Sequence, residues 1–237
     1  MQSFVFILMF FLLPLGLLAK PKYGPKVELL RDAPSYLRRG KAPDFWALMP
    51  YYVGQTTDAS CSTAASAMVL NALRHPSQLS SDDELISHDK ILAGFSDPFW
   101  AKATASGGNG VTLDQLAELL GKSFLHFQLG AHPVSVRHVE EASAAELKDL
   151  RESLKANEKN AKNFMLVNFL QGSLTGDGDA GHFSLVGAYD ASRKRVLILD
   201  VDRAWYEPYW VSDEELLKAM ATRDADAGKQ RGFLFIN

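Results

Sequence analysis

The sequence predicts an α+β protein in which a helical N-terminal half packs on an antiparallel sheet. Segments that open on helix caps and repeat apolar residues at helical spacing fill the first half, and short apolar runs bounded by turn residues fill the second. Helices followed by a strand meander indicate α+β rather than alternating βα units. Composition allows a sizeable core, with 47% hydrophobic and 22% charged residues among 237. The formal net charge of −3, with no cluster of Lys or Arg, gives nucleic acid or an anionic membrane surface no electrostatic foothold.

Residues 1–19 stand apart. Phe4 to Leu18 is an uncharged apolar run broken only by Pro14 and Gly16. It is shorter than the roughly 18–20 residues that span a bilayer and resembles a signal-peptide core, with cleavage after Ala19. No Lys or Arg precedes it and Lys20, Lys22 and Lys26 follow, which is the reverse of the charge asymmetry that favours export. The segment reads as a cleaved signal, an uncleaved anchor at residues 4–18, or a start placed too early. Residues 20–237 read as one domain, exported to a periplasmic or secreted location or held at a membrane. In such an oxidising space an odd cysteine suggests reactivity.

From Lys20 to Ala47, prolines and alternating charge suggest an extended arm. Ala64, Ala65, Met68, Val69, Ala72 and Leu73 then recur at helical spacing, with Asp58 as candidate cap and His75-Pro76 as terminator. Ser81-Asp82-Asp83-Glu84 opens a short helix. Thr112 to Gln115 is a capping box followed by Leu113, Leu116, Ala117 and Leu120, with Gly121 closing the helix. Ser143 to Glu146 and Ser212 to Glu215 start two more. Phe164–Leu170, His182–Tyr189, Val196–Val201 and Gly232–Ile236 read as strands. The DGD pattern at Asp177 to Asp179 lacks the other positions of a calcium loop, so no metal site is assigned.

Cys61 is the sole cysteine, so it cannot form an internal disulfide or a multi-thiolate metal site. It is either a packed core residue or a nucleophile. With Asp58 as cap it falls at the third helical position, where free N–H groups and the helix dipole favour an anion. Folding the chain about Ala191 sets His182 opposite Asp200, close enough for a carboxylate to orient an imidazole. A one-residue slip would separate them. Cysteine, histidine and aspartate together are the layout of thiol nucleophilic catalysis, and the Cys61 N–H and the Gln55 amide are candidate oxyanion donors. Gly107-Gly108-Asn109-Gly110 is either a loop that lets a ligand approach closely or a plain connector. His75, His88, His126, His132 and His138 lack metal-ligand spacing and read as structural.

Gln55-x5-Cys61 with Ala64 to Leu73, Gly110-Val111-Thr112, Gly181 to Tyr189, Val196 to Arg203, and Tyr206-x-Pro208-x-Trp210 together resemble the phytochelatin synthase family. The resemblance runs in order from Tyr51 to the C-terminus. It implies a papain-like fold and transfer of the γ-glutamylcysteinyl unit of glutathione. Cys61 would be the acylated nucleophile, His182 the base and acid, Asp200 its orienter and Gln55 the oxyanion donor. Arg203, Gly108, Asn109 and Gly181 would contact substrate. No cofactor is required by this chemistry, and heavy-metal ions such as cadmium would enter as activators or as metal–glutathione substrate. Glutathione is the implied partner, with no stable protein partner and a homodimer left open. Ser60 and Ser62 replace the Tyr and Gly that flank the family's cysteine, which puts the backbone approach near Cys61 in question. By the resemblance, the chain would correspond to the short bacterial form, without the cysteine-rich C-terminal domain of the plant members. The short form implies that hydrolysis of glutathione dominates over polymerisation.

Overall fold

The computed structural model describes residues 21–40, 42–74, 79–96, 98–176 and 178–237, so the segment 1–19 and the His75-Pro76 pair lie outside it. The strands are β1 (Glu28–Leu29), β2 (Val134–His138), β3 (Phe164–Leu170), β4 (Gly181–Asp190), β5 (Arg195–Leu199), β6 (Tyr209–Ser212), β7 (Arg223–Asp224), β8 (Lys229–Gln230) and β9 (Gly232–Ile236). Seven form one antiparallel sheet in the order β1-β6-β5-β4-β3-β9-β2, and β7 pairs with β8. The helices are α1 (Ser35–Arg39), α2 (Pro43–Leu48), α3 (Cys61–Leu73), α4 (His88–Ala93), α5 (Phe99–Ala103), α6 (Leu113–His126), α7 (Ala144–Asn157) and α8 (Asp213–Met220). The fold is α+β, as the order of the patterns implies.

Both faces of the sheet are covered. On one, α2 to α6 bury Leu48, Met68, Ile91, Trp100 and Leu120 against Leu166, Leu185 and Leu199. On the other, Leu150 and Leu154 of α7 and Leu216 and Leu217 of α8 meet Val167, Val186 and Ile198. The strands are therefore apolar almost throughout, because neither face is left to water.

Local chemistry explains where the elements start. Thr112 and Gln115 complete the capping box of α6, and the Ser143 and Ser212 hydroxyls accept the N–H groups of Glu146 and Glu215. Helix α6 runs past Gly121 to His126, because buried Phe124 extends the apolar stripe and outweighs a glycine cost of about 1 kcal/mol. The helix expected at Ser81 is a turn instead. Asp83 takes the N–H and hydroxyl of Ser80, and α4 opens at His88 under a Ser87 cap. The expected arm contains β1, α1 and α2, the last begun by Pro43 in the position where a missing N–H costs nothing.

The β4–β5 hairpin decides the site. Its outer rungs pair Asp190 with Arg195 and Ala188 with Leu197, but the register shifts at Gly187, and Leu185 then faces Leu199. The fold axis is thus not at Ala191, and His182 and Asp200 are not directly opposed. The bulge brings the two side chains back onto one face. Without it His182 would share a face with Val201, and with it His182, Ser184 and Asp200 share one face, so histidine and aspartate meet diagonally. A Cβ on Gly187 would lie 2.8 Å from Leu199 Cγ, so glycine lets the two strands close here.

Candidate active site

Cys61 is the first residue of α3, not the third, and Ser60 is its cap residue. The Ser60 Oγ accepts the N–H groups of Thr56 and Thr57 at 2.9 Å, tying down the loop that leads into the helix. Asp58, expected as the cap, accepts the Gly107 N–H at 3.2 Å instead. Helix α3 is buried on all sides from Cys61 to Asn71, so its apolar face is only part of its contact surface. The Ser62 hydroxyl accepts the Trp100 indole N–H at 3.0 Å. The serines flanking Cys61 thus have structural partners.

His182, at the start of β4, is 3% exposed, and Asp200, one residue past β5, is fully buried. The His182 Nε2 lies 2.8 Å from Asp200 Oδ1. The Tyr209 hydroxyl donates to the other carboxylate oxygen at 2.9 Å, and the Asp202 N–H donates to Oδ1 at 2.9 Å. Phe169 meets the imidazole edge-on at 5.6 Å. The Cys61 thiol is near enough to the same ring to favour its protonated form, and with Nε2 on Asp200 the ring nitrogen left to face it is Nδ1. Burial alone would strip the proton from His182, but the Asp200 charge, their hydrogen bond and Cys61 reverse this and raise it to about 10. Burial also works against the Asp200 anion, yet His182, the Asp202 N–H and the Tyr209 hydroxyl hold it below the usual carboxylate range. The pocket favours a proton on the imidazole beside a charged carboxylate.

Gln55 lies six residues before Cys61, and its N–H donates to the Val201 carbonyl at 2.7 Å. Its side-chain Oε1 is buried without a protein partner among the described residues. The Tyr52 hydroxyl donates to the Asp200 carbonyl at 2.5 Å, so this loop is stitched twice to the aspartate strand. Arg203 is exposed, with its guanidinium 4.2 Å from the centre of the Tyr52 ring. Gly108 is wedged against the Ala103 carbonyl, 2.2 Å from where a Cβ would stand, and the adjoining Asn109 is exposed. The glycine loop borders the cysteine loop through Thr57, whose hydroxyl donates to the Thr104 carbonyl at 2.7 Å, and through the Asp58–Gly107 bond. Gly181 lies under the Arg231 guanidinium, whose Nε is buried without a partner among the described residues. Clefts of about 460 Å³ open elsewhere and are not lined by Cys61, His182 or Asp200.

Tyr209, Tyr52 and Arg231 escaped the sequence reading. Tyr209 falls on β6, a strand too short to announce itself, yet its pairing with Ile198 puts it on the face of Asp200. A tyrosine inside the Tyr206-x-Pro208-x-Trp210 block was the available signal.

A lone thiol at a helix start, held against a histidine–aspartate pair at the end of an antiparallel sheet, is the arrangement of thiol-nucleophile acyl-transfer proteins. The model of the phytochelatin synthase family matches residues 27–233, and the chain belongs to that family. It is 30% identical over 201 residues to glutathione gamma-glutamylcysteinyltransferase 3 of Lotus japonicus, covering 85% of this chain and 39% of the relative. It is 29% identical over 203 residues to glutathione gamma-glutamylcysteinyltransferase 1 of Arabidopsis thaliana, covering 85% and 38%. The enzyme of the same name from Schizosaccharomyces pombe is 25% identical over 207 residues, covering 84% and 45%. The chain thus spans about two-fifths of the length of these relatives. No helix among the described residues is long and apolar enough to cross a membrane.

Proposed function

We propose that the protein is a cysteine-dependent acyltransferase acting on glutathione, with a papain-like arrangement of its site. His182 holds the proton given up by Cys61, as its pocket favours, and the thiolate attacks the carbonyl that joins cysteine to glycine. The Cys61 N–H and the Gln55 amide stabilise the oxyanion. His182 returns the proton to the departing glycine amine, leaving γ-glutamylcysteine as a thioester on Cys61. Water then yields γ-glutamylcysteine, or the thioester passes to the amine of a second glutathione to give a phytochelatin. Asp200 and Tyr209 fix the imidazole and balance its charge. Arg203 and the backbone at Gly108, Asn109 and Gly181 lie in the segments that flank Cys61 and His182, and Arg231 adds a cation beside Gly181 suited to an anionic peptide. Cadmium would enter as metal–glutathione thiolate substrate. The apolar run at residues 4–18 supports action outside the cytoplasm.

The observation that carries this reading is the convergence of Cys61, His182 and Asp200 in one buried chain of contacts. Purified protein incubated with glutathione should release glycine, and Cys61→Ala should abolish the release. Glycine release unchanged by that substitution would end the proposal.

A further inference from the structure

The peptide group that joins Gly54 to Gln55 is held at both ends. Its N–H donates to the Val201 carbonyl at 2.7 Å, one residue beyond Asp200. Its carbonyl, on Gly54, lies 3.2 Å from His88 Nε2. The other nitrogen of that ring, Nδ1, lies 2.9 Å from the Thr63 hydroxyl, on the first turn of the helix that starts with Cys61. The Thr63 hydroxyl also lies 2.9 Å from the Ser60 carbonyl, so its one hydrogen is shared between that carbonyl and the ring. A carbonyl can only accept, so Nε2 carries a hydrogen and Nδ1 faces the hydroxyl. His88 is 7% exposed and the first residue of α4, whose Ser87 cap fixes where the ring sits.

We propose that His88 is a positioning residue of the proposed reaction: by bridging Gly54 and Thr63 it sets the distance between Gln55 and Cys61, and so the geometry of the oxyanion site. The inference rests on the acyl-transfer reading above and assigns a role to a histidine that sequence spacing marks as structural. Two clamps meet on one peptide plane. Val201 registers Gln55 to the histidine–aspartate strands, and His88 registers it to the nucleophile helix. Releasing one clamp lets the Gln55 amide drift from the point where charge develops, while the substrate contacts and the Cys61–His182 pair stay in place.

The test compares wild type, His88→Ala, His88→Gln and Thr63→Val by glycine release from glutathione and by the rate at which iodoacetamide alkylates Cys61. His88→Ala should lower kcat about 10–100-fold, the size of a displaced oxyanion donor, with KM changed less than about threefold. Its alkylation rate should stay near wild type, because alkylation builds no oxyanion. A glutamine can donate to Gly54 and accept from Thr63, so His88→Gln should recover most of kcat. Thr63→Val keeps the shape and removes the bond, and should follow His88→Ala in direction. Wild-type kcat in both His88→Ala and Thr63→Val would overturn the proposal. So would alkylation and kcat falling together, or a failure of glutamine to rescue, since each marks a packing role. If wild type itself releases no glycine, the acyl-transfer reading fails instead.

Discussion

Of the fully buried carboxylates, Asp200 lies near the first residues of strand β4 and Asp44 in the cluster that abuts Tyr189 near its last. Asp200 faces an imidazole, a tyrosine hydroxyl and a backbone N–H, and these hold it charged. Asp44 faces the amide of Asn157 and, further off, the carboxylate of Glu158. Burial and the Glu158 charge push it up to about 9, against the Asn157 bond. Its Oδ1 and the Asn157 Oδ1 both lack partners among the described residues, as fits a protonated acid that can donate between them. Burial is the same at both places and the charge state is opposite, so the partners decide. Asp200, kept as an ion, is surrounded by donors and paired with the imidazole that serves the thiol. Where the protein needs only to join helices, it leaves the acid neutral.

The largest effect should separate the two acids by activity. Asp200→Asn keeps the shape but removes the charge that stabilises protonated His182, and should lower glycine release by about 10³–10⁴-fold. Asp44→Asn should leave the rate close to wild type.

Stability against pH should separate them by sign. Asp44 has a folded value well above its unfolded one, so the unfolded chain releases its proton first. Its contribution is full below about pH 4 and declines as pH rises toward about 9, at up to about 1.4 kcal/mol per pH unit. Melting temperature should therefore fall across that window in wild type and less steeply in Asp44→Asn. Asp200, held low, contributes above its unfolded value and loses that contribution as pH falls through its folded one. His182, raised to about 10, acts on the alkaline side, its contribution complete below about 6.5 and lost toward 10. Equal pH slopes for wild type and Asp44→Asn would contradict the assignment of a neutral Asp44.

Gly187→Ala probes the bulge that brings histidine and aspartate onto one face. The added methyl meets fully buried Leu199, so a loss of about 1–3 kcal/mol is expected, with reduced turnover in the folded fraction. Thermal melts beside active-site titration check both. Two tyrosines, one at each end of β4, give a comparison of single hydrogen bonds. Tyr209→Phe removes one hydrogen bond to Asp200 and should cost about 1.5–3 kcal/mol, read mainly as lower kcat. Tyr189→Phe removes a bond to Asp213 at the other end of β4, and should lower stability by about 1 kcal/mol without changing kcat.

Much of this was legible in the sequence where short-range rules act. The Thr112, Ser143 and Ser212 caps and the strands Phe164–Leu170 and Gly232–Ile236 follow from residues within a few positions of each other. The family blocks at Cys61, His182 and Asp200 were legible as a pattern, and the geometry joins them. Features set by distant contacts were not. The bulge at Gly187 is invisible to a symmetric hairpin and appears only when strand pairing is known. Asp58 and Ser60 both suit a helix cap, and the choice between them depends on Gly107 some fifty residues away. Asp44 resembles any helix-start acid until Asn157 and Glu158 are folded against it.

Intact-protein mass spectrometry after brief exposure to glutathione reads the proposed chemistry at its covalent step. The expected result is a γ-glutamylcysteinyl group on Cys61, with glycine found free in solution and no adduct on Cys61→Ala. A whole glutathione held on Cys61 and released by reductant, with no glycine set free, would show disulfide exchange in place of acyl transfer.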